Sequence, residues 1–125
     1  MRKYLVIAAL AVAGLFIFGF GGGKSGLVSY EELQAKIAKK DNFVLLDVRT
    51  PEEFAEGHIA GAVLLRYDQV GQKAASMLHE KEKLLIVYCR SGRRRAIGAD
   101  ALRGLGYKDV KAFGGISRWQ GALER

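Results

Sequence analysis

The chain has 125 residues, a net charge of +7 at pH 7, 50% apolar residues and a single cysteine. This length is that of one small domain with one core, so we look for one functional site. One cysteine excludes an intramolecular disulfide framework, and the two histidines give no metal-ligand spacing with it, so we predict neither a metal nor another cofactor.

The N-terminal segment is predicted to direct export. Arg2 and Lys3 precede residues 5–20, which contain no charged or polar side chain. That stretch is short for a membrane-spanning helix of about 20 apolar residues and long for a signal-peptide core of about 7 to 15 residues, so cleavage stays open. We predict that residues 1–23 are a signal peptide or membrane anchor with a glycine linker. Residues 24–125 then form the domain, periplasmic or anchored on the extracytoplasmic side.

Beyond the linker, apolar runs alternate with stretches that have helical spacing. Each predicted strand is a short continuous apolar run, and two of the helices open on the capping residues Ser29 and Thr50. The predicted strands cover residues 42–48, 61–65, 84–89 and 109–113. The predicted helices cover residues 29–40, 50–57, 68–78, 94–105 and 116–123. This alternation predicts an α/β fold, a parallel sheet with helices on both faces.

Cys89 is the last residue of the most apolar predicted strand, and a short loop connects it to the next predicted helix. Ligands of parallel α/β sheets bind there, where strands pass into helix N-termini. Gly92 gives the loop a permissive backbone, and a helix start with nearby cations can lower a thiol pKa from about 8.5 to roughly 3.5–7.5. We predict a reactive thiolate rather than an inert buried thiol. The acid-free stretch between Glu82 and Asp100 is predicted to attract a small anion, not nucleic acid.

Three stretches in this order resemble the single-domain rhodaneses, a family of sulfurtransferases. They are LLDVRTPEEFAEGHIAGAVLL at residues 45–65, VYCRSGRRR at residues 87–95 and VKAFGGISRWQGAL at residues 110–123. The resemblance implies a five-stranded parallel sheet between helices and a persulfide carried on Cys89. It implies a thiosulfate-like donor and a cyanide, thiol or protein acceptor. The loop that would bind the donor consists of Arg90, Ser91, Gly92, Arg93, Arg94 and Arg95.

By the same resemblance, three residues support the site by tying loops together: Asp47, Arg49 and His58. The chain departs from the two-domain thiosulfate:cyanide enzymes of the family at two positions. Ala60 and Ser91 stand where those enzymes carry an arginine and a lysine, so the preference for thiosulfate is inferred from the remaining arginines. Arg66 is a further cation near the predicted rim, and Trp119 is predicted to pack in the core.

Two other functions are compatible with the same residues. Cys89 to Arg95 also resembles the Cys-x5-Arg phosphatase signature, in which Arg95 would bind the phosphoryl group. Tyr88 and Ala96 replace the histidine and the hydroxyl residue usual there, and no aspartic general acid is evident, so this function is disfavoured. A non-enzymatic persulfide carrier or redox module needs the same nucleophile and is not separable from a sulfurtransferase by sequence. Thiosulfate sulfurtransferase activity is the favoured prediction.

Overall fold

The computed structural model describes residues 27–90 and 92–125. The predicted signal or anchor at residues 1–23 lies outside the described residues, and so does the predicted loop residue Ser91. No helix in the described part of the chain is long and apolar enough to cross a membrane.

Strands and helices alternate along the described chain. The strands are β1 (Phe43–Asp47), β2 (Val63–Leu64), β3 (Leu84–Cys89) and β4 (Val110–Gly115). The helices are α1 (Tyr30–Lys39), α2 (Pro51–Glu56), α3 (Val70–Met77) and α4 (Gly92–Gly104), with short 3-10 helices at Tyr67–Gln69 and Ile116–Arg118. The predicted strands and the first four predicted helices are therefore present, with ends shifted by a few residues.

The predicted capping residues Ser29 and Thr50 begin the first two helices, and the structure shows a complete capping box at each. Ser29 Oγ accepts from the Glu32 backbone N–H at 3.0 Å, and Glu32 Oε1 accepts from the Ser29 N–H at 3.4 Å. At α2, Thr50 Oγ1 accepts from the Glu53 N–H at 3.2 Å, and Glu53 Oε1 accepts from the Thr50 N–H at 3.0 Å. Pro51 follows at the first helical position, where its missing N–H removes no helical hydrogen bond.

The described sheet is parallel, with strand order β2-β1-β3-β4. In β3, Leu85, Val87 and Cys89 belong to the buried cluster that also contains residues of α3 and α4. Ile86 and Tyr88 belong to the second buried cluster, which contains a residue of α1. Because side chains of a strand alternate between faces, helices cover both faces of the sheet, which confirms the predicted architecture.

The expectation of a five-stranded sheet is wrong for the described residues, whose sheet has four strands. Leu27 forms an isolated parallel bridge with Ala112, and the Val28 N–H donates to the Ala112 carbonyl at 2.7 Å. This bridge lies beside β4, where a fifth strand would extend the sheet. A strand requires a ladder of successive pairs, and a single bridge does not make one.

The predicted helix over residues 116–123 is also wrong. Only Ile116–Arg118 is helical, as a 3-10 helix. The chain then reaches Glu124, whose backbone exchanges two hydrogen bonds of 2.8 Å with His58 in an antiparallel bridge. Those bonds need extended backbone, which explains why a helix does not continue. Trp119 packs edge-on against Tyr30, with ring centroids 5.0 Å apart, as its predicted core role requires.

Candidate active site

Cys89 is the last residue of β3 and lies at the carboxyl edge of the sheet. Helix α4 begins at Gly92, so the thiol lies where a strand passes into a helix N-terminus. The side chain is fully buried, at 0% exposure, in the cluster with α3 and α4 residues. Burial is compatible with an inert cysteine as well as with a reactive one, so the nucleophile assignment stays a prediction.

Beside Cys89, strand β4 carries a bulge. Val87 pairs with Ala112, but the next residue of β3 pairs with Gly114, which leaves Phe113 as the extra residue. The bulge bends β4 at the level of the cysteine, a place where bulges commonly re-aim side chains. Gly114 has φ 110°, a left-handed conformation that favours glycine.

Gly115 pairs with Cys89 across the sheet and has no room for a side chain. A Cβ atom there would lie 2.7 Å from the backbone oxygen of Arg90. The two consecutive glycines at the end of β4 are therefore required for different reasons. Gly114 permits the backbone conformation of the bulge, and Gly115 permits the backbone that follows Cys89 to approach β4.

Asp47 and Arg49 form a buried ion pair where β1 ends. Their exposures are 0% and 5%, and the Arg49 guanidinium donates to both carboxylate oxygens, with the shortest contact at 2.7 Å. Arg49 Nη2 also donates to the Gly57 carbonyl at 2.6 Å. Burial would lower the pKa of Arg49, but the hydrogen bond and charge of Asp47 raise it above the ordinary value. The pair thus fastens the loop after α2 to β1.

Tyr88 makes a second tie to the same loop. Its hydroxyl oxygen accepts a hydrogen bond of 3.1 Å from the Ile59 backbone N–H. The Arg49 guanidinium lies 5.7 Å from the centre of the Tyr88 ring, a cation–π distance. Burial and the negative charge of Asp47 raise the pKa of Tyr88 well above its ordinary value, so the hydroxyl stays neutral. Tyr88 was not among the site residues predicted from the sequence. The only feature of the sequence that points to it is its position directly before Cys89.

His58 is part of this loop and directly follows Gly57. Its ring stacks on Phe54, with centroids 3.8 Å apart, and its Nδ1 lies 2.9 Å from the Phe54 carbonyl oxygen. Its contacts are thus with α2 and the C-terminal segment. The three predicted supporting residues therefore all take part in contacts that connect the loop between α2 and β2 to its surroundings.

Arg90 is the predicted loop residue whose side chain the structure describes. The side chain is 74% exposed, and its Nη1 lies 3.4 Å from Glu53 Oε2. The backbone of Gly92, Arg93, Arg94 and Arg95 forms the first turn of α4. Arg66 pairs instead with Asp68, at 3.0 Å between Nε and Oδ1. Glu53 was not predicted, because it is 37 residues from Arg90 and its capping role already explained it.

Among residues 27–90 and 92–125, no group of three or more histidine, cysteine, aspartate and glutamate side chains is placed to hold a metal ion.

The family model of the rhodanese-like domain matches residues 29–122. This match covers most of the chain, the parallel α/β fold and the loop that follows Cys89. The chain belongs to the rhodanese-like domain family, and sulfur transfer is the chemistry that its relatives support.

Individual relatives agree with this assignment. YtwF of Bacillus subtilis, which is provisionally named a sulfurtransferase, is 35% identical over 94 residues, covering 75% of this chain and 89% of YtwF. The thiosulfate sulfurtransferase PspE of Escherichia coli is 31% identical over 71 residues, covering 57% of this chain and 68% of PspE. The crystal structure of the Alr3790 protein from Anabaena sp. superimposes with a TM-score of 0.73 at 26% identity, covering 78% of this chain and 90% of that one.

Proposed function

We propose that this protein transfers sulfane sulfur from thiosulfate or a similar anionic donor to a thiophilic acceptor through a persulfide on Cys89. The observation that carries the proposal is the position of Cys89 at the carboxyl end of β3, directly before the N-terminus of α4, in a chain of the rhodanese-like family. The thiosulfate sulfurtransferase activity named for PspE supports the choice of donor. The acceptor is cyanide, a small thiol or a thiol of a partner protein.

The reaction has two covalent steps. In the first, the Cys89 thiolate attacks the outer sulfur of thiosulfate, a new sulfur–sulfur bond forms, and the bond to the sulfonate sulfur breaks. Sulfite leaves with that electron pair, and the enzyme keeps a persulfide anion. In the second, cyanide or a thiolate attacks the terminal sulfur, and the Cys89 thiolate is released. No external oxidant or reductant enters either step.

The rest of the loop supplies the electrostatics for these steps. Backbone N–H groups in the first turn of α4 and the partial positive charge of the helix start favour negative charge near Cys89. Arginine guanidinium groups offer forked donors for the oxygens of a thiosulfate or sulfite anion. Three of the predicted loop arginines, Arg93, Arg94 and Arg95, lie in that first turn by their backbone positions.

The test is the mass of the full chain before and after incubation with thiosulfate, and again after cyanide. We expect the chain to gain one sulfur atom, which cyanide then removes as thiocyanate. Cys89→Ser is the matched control because it removes the only thiol of the chain. It should neither gain sulfur nor turn over, while its circular dichroism stays that of the wild type.

Three outcomes distinguish the alternatives. Thiocyanate formed repeatedly from thiosulfate supports an enzyme. A persulfide that forms but passes only to a protein thiol supports a carrier in place of an enzyme. No gain of sulfur from thiosulfate or a thiosulfonate, together with hydrolysis of an aryl phosphate, would replace the proposal with the phosphatase function. Full activity of Cys89→Ser would contradict the nucleophile assignment.

A further inference from the structure

Glu53 performs two tasks with its two carboxylate oxygens. Oε1 closes the capping box of α2, accepting from the Thr50 N–H at 3.0 Å and from Thr50 Oγ1 at 3.2 Å. Oε2 lies 3.4 Å from Nη1 of Arg90, the residue that follows Cys89. The Glu53 side chain is only 16% exposed, whereas that of Arg90 is 74% exposed. The hydrogen bonds of the helix start thus fix the position of the Glu53 carboxylate, and the more exposed Arg90 guanidinium pairs with it.

The pairing changes the charge that an incoming donor meets. Asp47 and Arg49 neutralise each other in a buried ion pair. Glu53 offsets the charge of Arg90, and its negative charge also adds to the raised pKa of Arg49, after the larger effect of Asp47. The four described charges of Asp47, Arg49, Glu53 and Arg90 therefore sum to zero. A negative donor is attracted by the rest of the loop and repelled by Glu53.

We propose that Glu53 is a specificity-determining residue that sets the affinity of the Cys89 site for doubly charged donors by holding and neutralising Arg90. The inference rests on the proposed function and names a property of the same site. Glu53 touches neither the donor nor the transferred sulfur and acts as a positioning residue through Arg90. A dianion must compete with the Glu53 carboxylate for Arg90 and is repelled twice as strongly as a monoanion. Glu53 thereby lowers the affinity for a doubly charged donor more than the affinity for a singly charged one.

The test compares two sulfur donors of different charge, thiosulfate with two negative charges and benzenethiosulfonate with one, in the full chain. The variant is Glu53→Gln, because glutamine keeps the capping box but removes the charge. For a unit charge about 7 Å from the donor in water, the expected gain is about threefold in binding per donor charge. KM should therefore fall roughly ninefold for thiosulfate and about threefold for benzenethiosulfonate. The difference should shrink at high ionic strength.

Glu52→Gln is the matched control, since Glu52 lies on the same helix and is exposed. It should change both KM values by less than twofold if the effect is specific to the contact with Arg90. Glu53→Ala separates charge from position, because it also removes the cap of α2. We expect it to lower kcat in addition, while Glu53→Gln leaves kcat near that of the wild type.

Several results would overturn the inference. The first is an equal shift of KM for the two donors in Glu53→Gln. The second is a rise of KM for thiosulfate in that variant, and the third is a shift of KM in Glu52→Gln as large as that in Glu53→Gln. If neither donor is turned over, the proposed function fails, and the charge inference is then decided by calorimetric titration of the full chain with sulfate. Tighter sulfate binding in Glu53→Gln than in wild type would uphold it, and equal or weaker binding would reject it.

Discussion

Replacing Gly115 by alanine tests whether the backbone after Cys89 must touch β4. A Cβ atom at this position would lie 2.7 Å from the Arg90 carbonyl oxygen, and ordinary contacts begin at 3.4 Å. The two backbones must therefore separate by about 0.7 Å. Neither backbone can move without disturbing the pairing of β3 with β4, because Cys89 and Gly115 are partners in the sheet. Overpacking of this kind costs about 1–3 kcal/mol.

Two measurements read out the change. In a domain of about this size each kcal/mol lowers Tm by roughly 4–8 °C, so Gly115→Ala should melt at least about 4 °C below the wild type. Because a misplacement of about 1 Å costs roughly a hundredfold in rate, we expect the rate of persulfide formation on Cys89 to fall at least about tenfold. Stability is followed by circular dichroism and persulfide formation by mass spectrometry.

Gly71→Ala is the matched control. Gly71 is exposed in α3, and a Cβ atom there would meet nothing within 4 Å. Alanine is a better helix former than glycine, so this variant should be neutral or more stable by up to about 1 kcal/mol, with an unchanged rate. If Gly115→Ala behaved like Gly71→Ala in both Tm and rate, the close approach of Arg90 to β4 would be refuted.

Two further predictions concern the ties around the loop after α2. Asp47→Asn leaves the buried guanidinium of Arg49 without its counter-charge, so the free energy of unfolding in urea should fall by about 3–5 kcal/mol. A fall of less than about 1 kcal/mol would contradict the buried ion pair. Tyr88→Phe leaves the Ile59 N–H without its acceptor and should cost about 1–3 kcal/mol. Because the folded state raises the pKa of Tyr88 above its ordinary 10.0, the stability of the wild type should fall as pH rises above 10. Tyr88→Phe should lack this part of the fall. If the urea midpoints of the two proteins changed in parallel from about pH 8 to 11, the prediction for Tyr88 would be disproved.

The parts of the fold that follow from short-range chemistry were predictable. The capping box at Ser29 and the Thr50-Pro51 start of α2 depend on residues at most three positions apart, so local spacing predicts them. The run Leu84–Cys89 matches β3 residue for residue, because a strand covered on both faces must be apolar throughout. Gly106 ends the turn after α4 with φ 97°, a conformation that favours glycine.

The errors and omissions depend on partners that are distant in sequence. The terminal helix failed because Glu124 pairs with His58, 66 positions away along the printed sequence. The contact between Gly115 and the Arg90 backbone depends on the β3–β4 register and on the bulge, neither of which an apolar run specifies. The role of Glu53 was hidden for a related reason, since its helix cap accounted for its sequence position. Pairings of this kind require the sheet order to be known first.

Taken together, these distant partners fix the chain on both sides of the candidate nucleophile. The residue before it, Tyr88, accepts a hydrogen bond from the Ile59 N–H at its hydroxyl oxygen, and the carbonyl oxygen of the residue after it, Arg90, lies so close to Gly115 that a Cβ atom there would clash with it. A buried ion pair such as Asp47–Arg49 contributes little net stability compared with apolar side chains of similar size. Its value here is geometric, because Arg49 reaches Gly57 in the same loop that Tyr88 reaches. A sulfur-transfer step needs the thiolate, the donor sulfur and the leaving sulfite in line, and ties that limit the motion of residues 88 and 90 limit the motion of Cys89 itself.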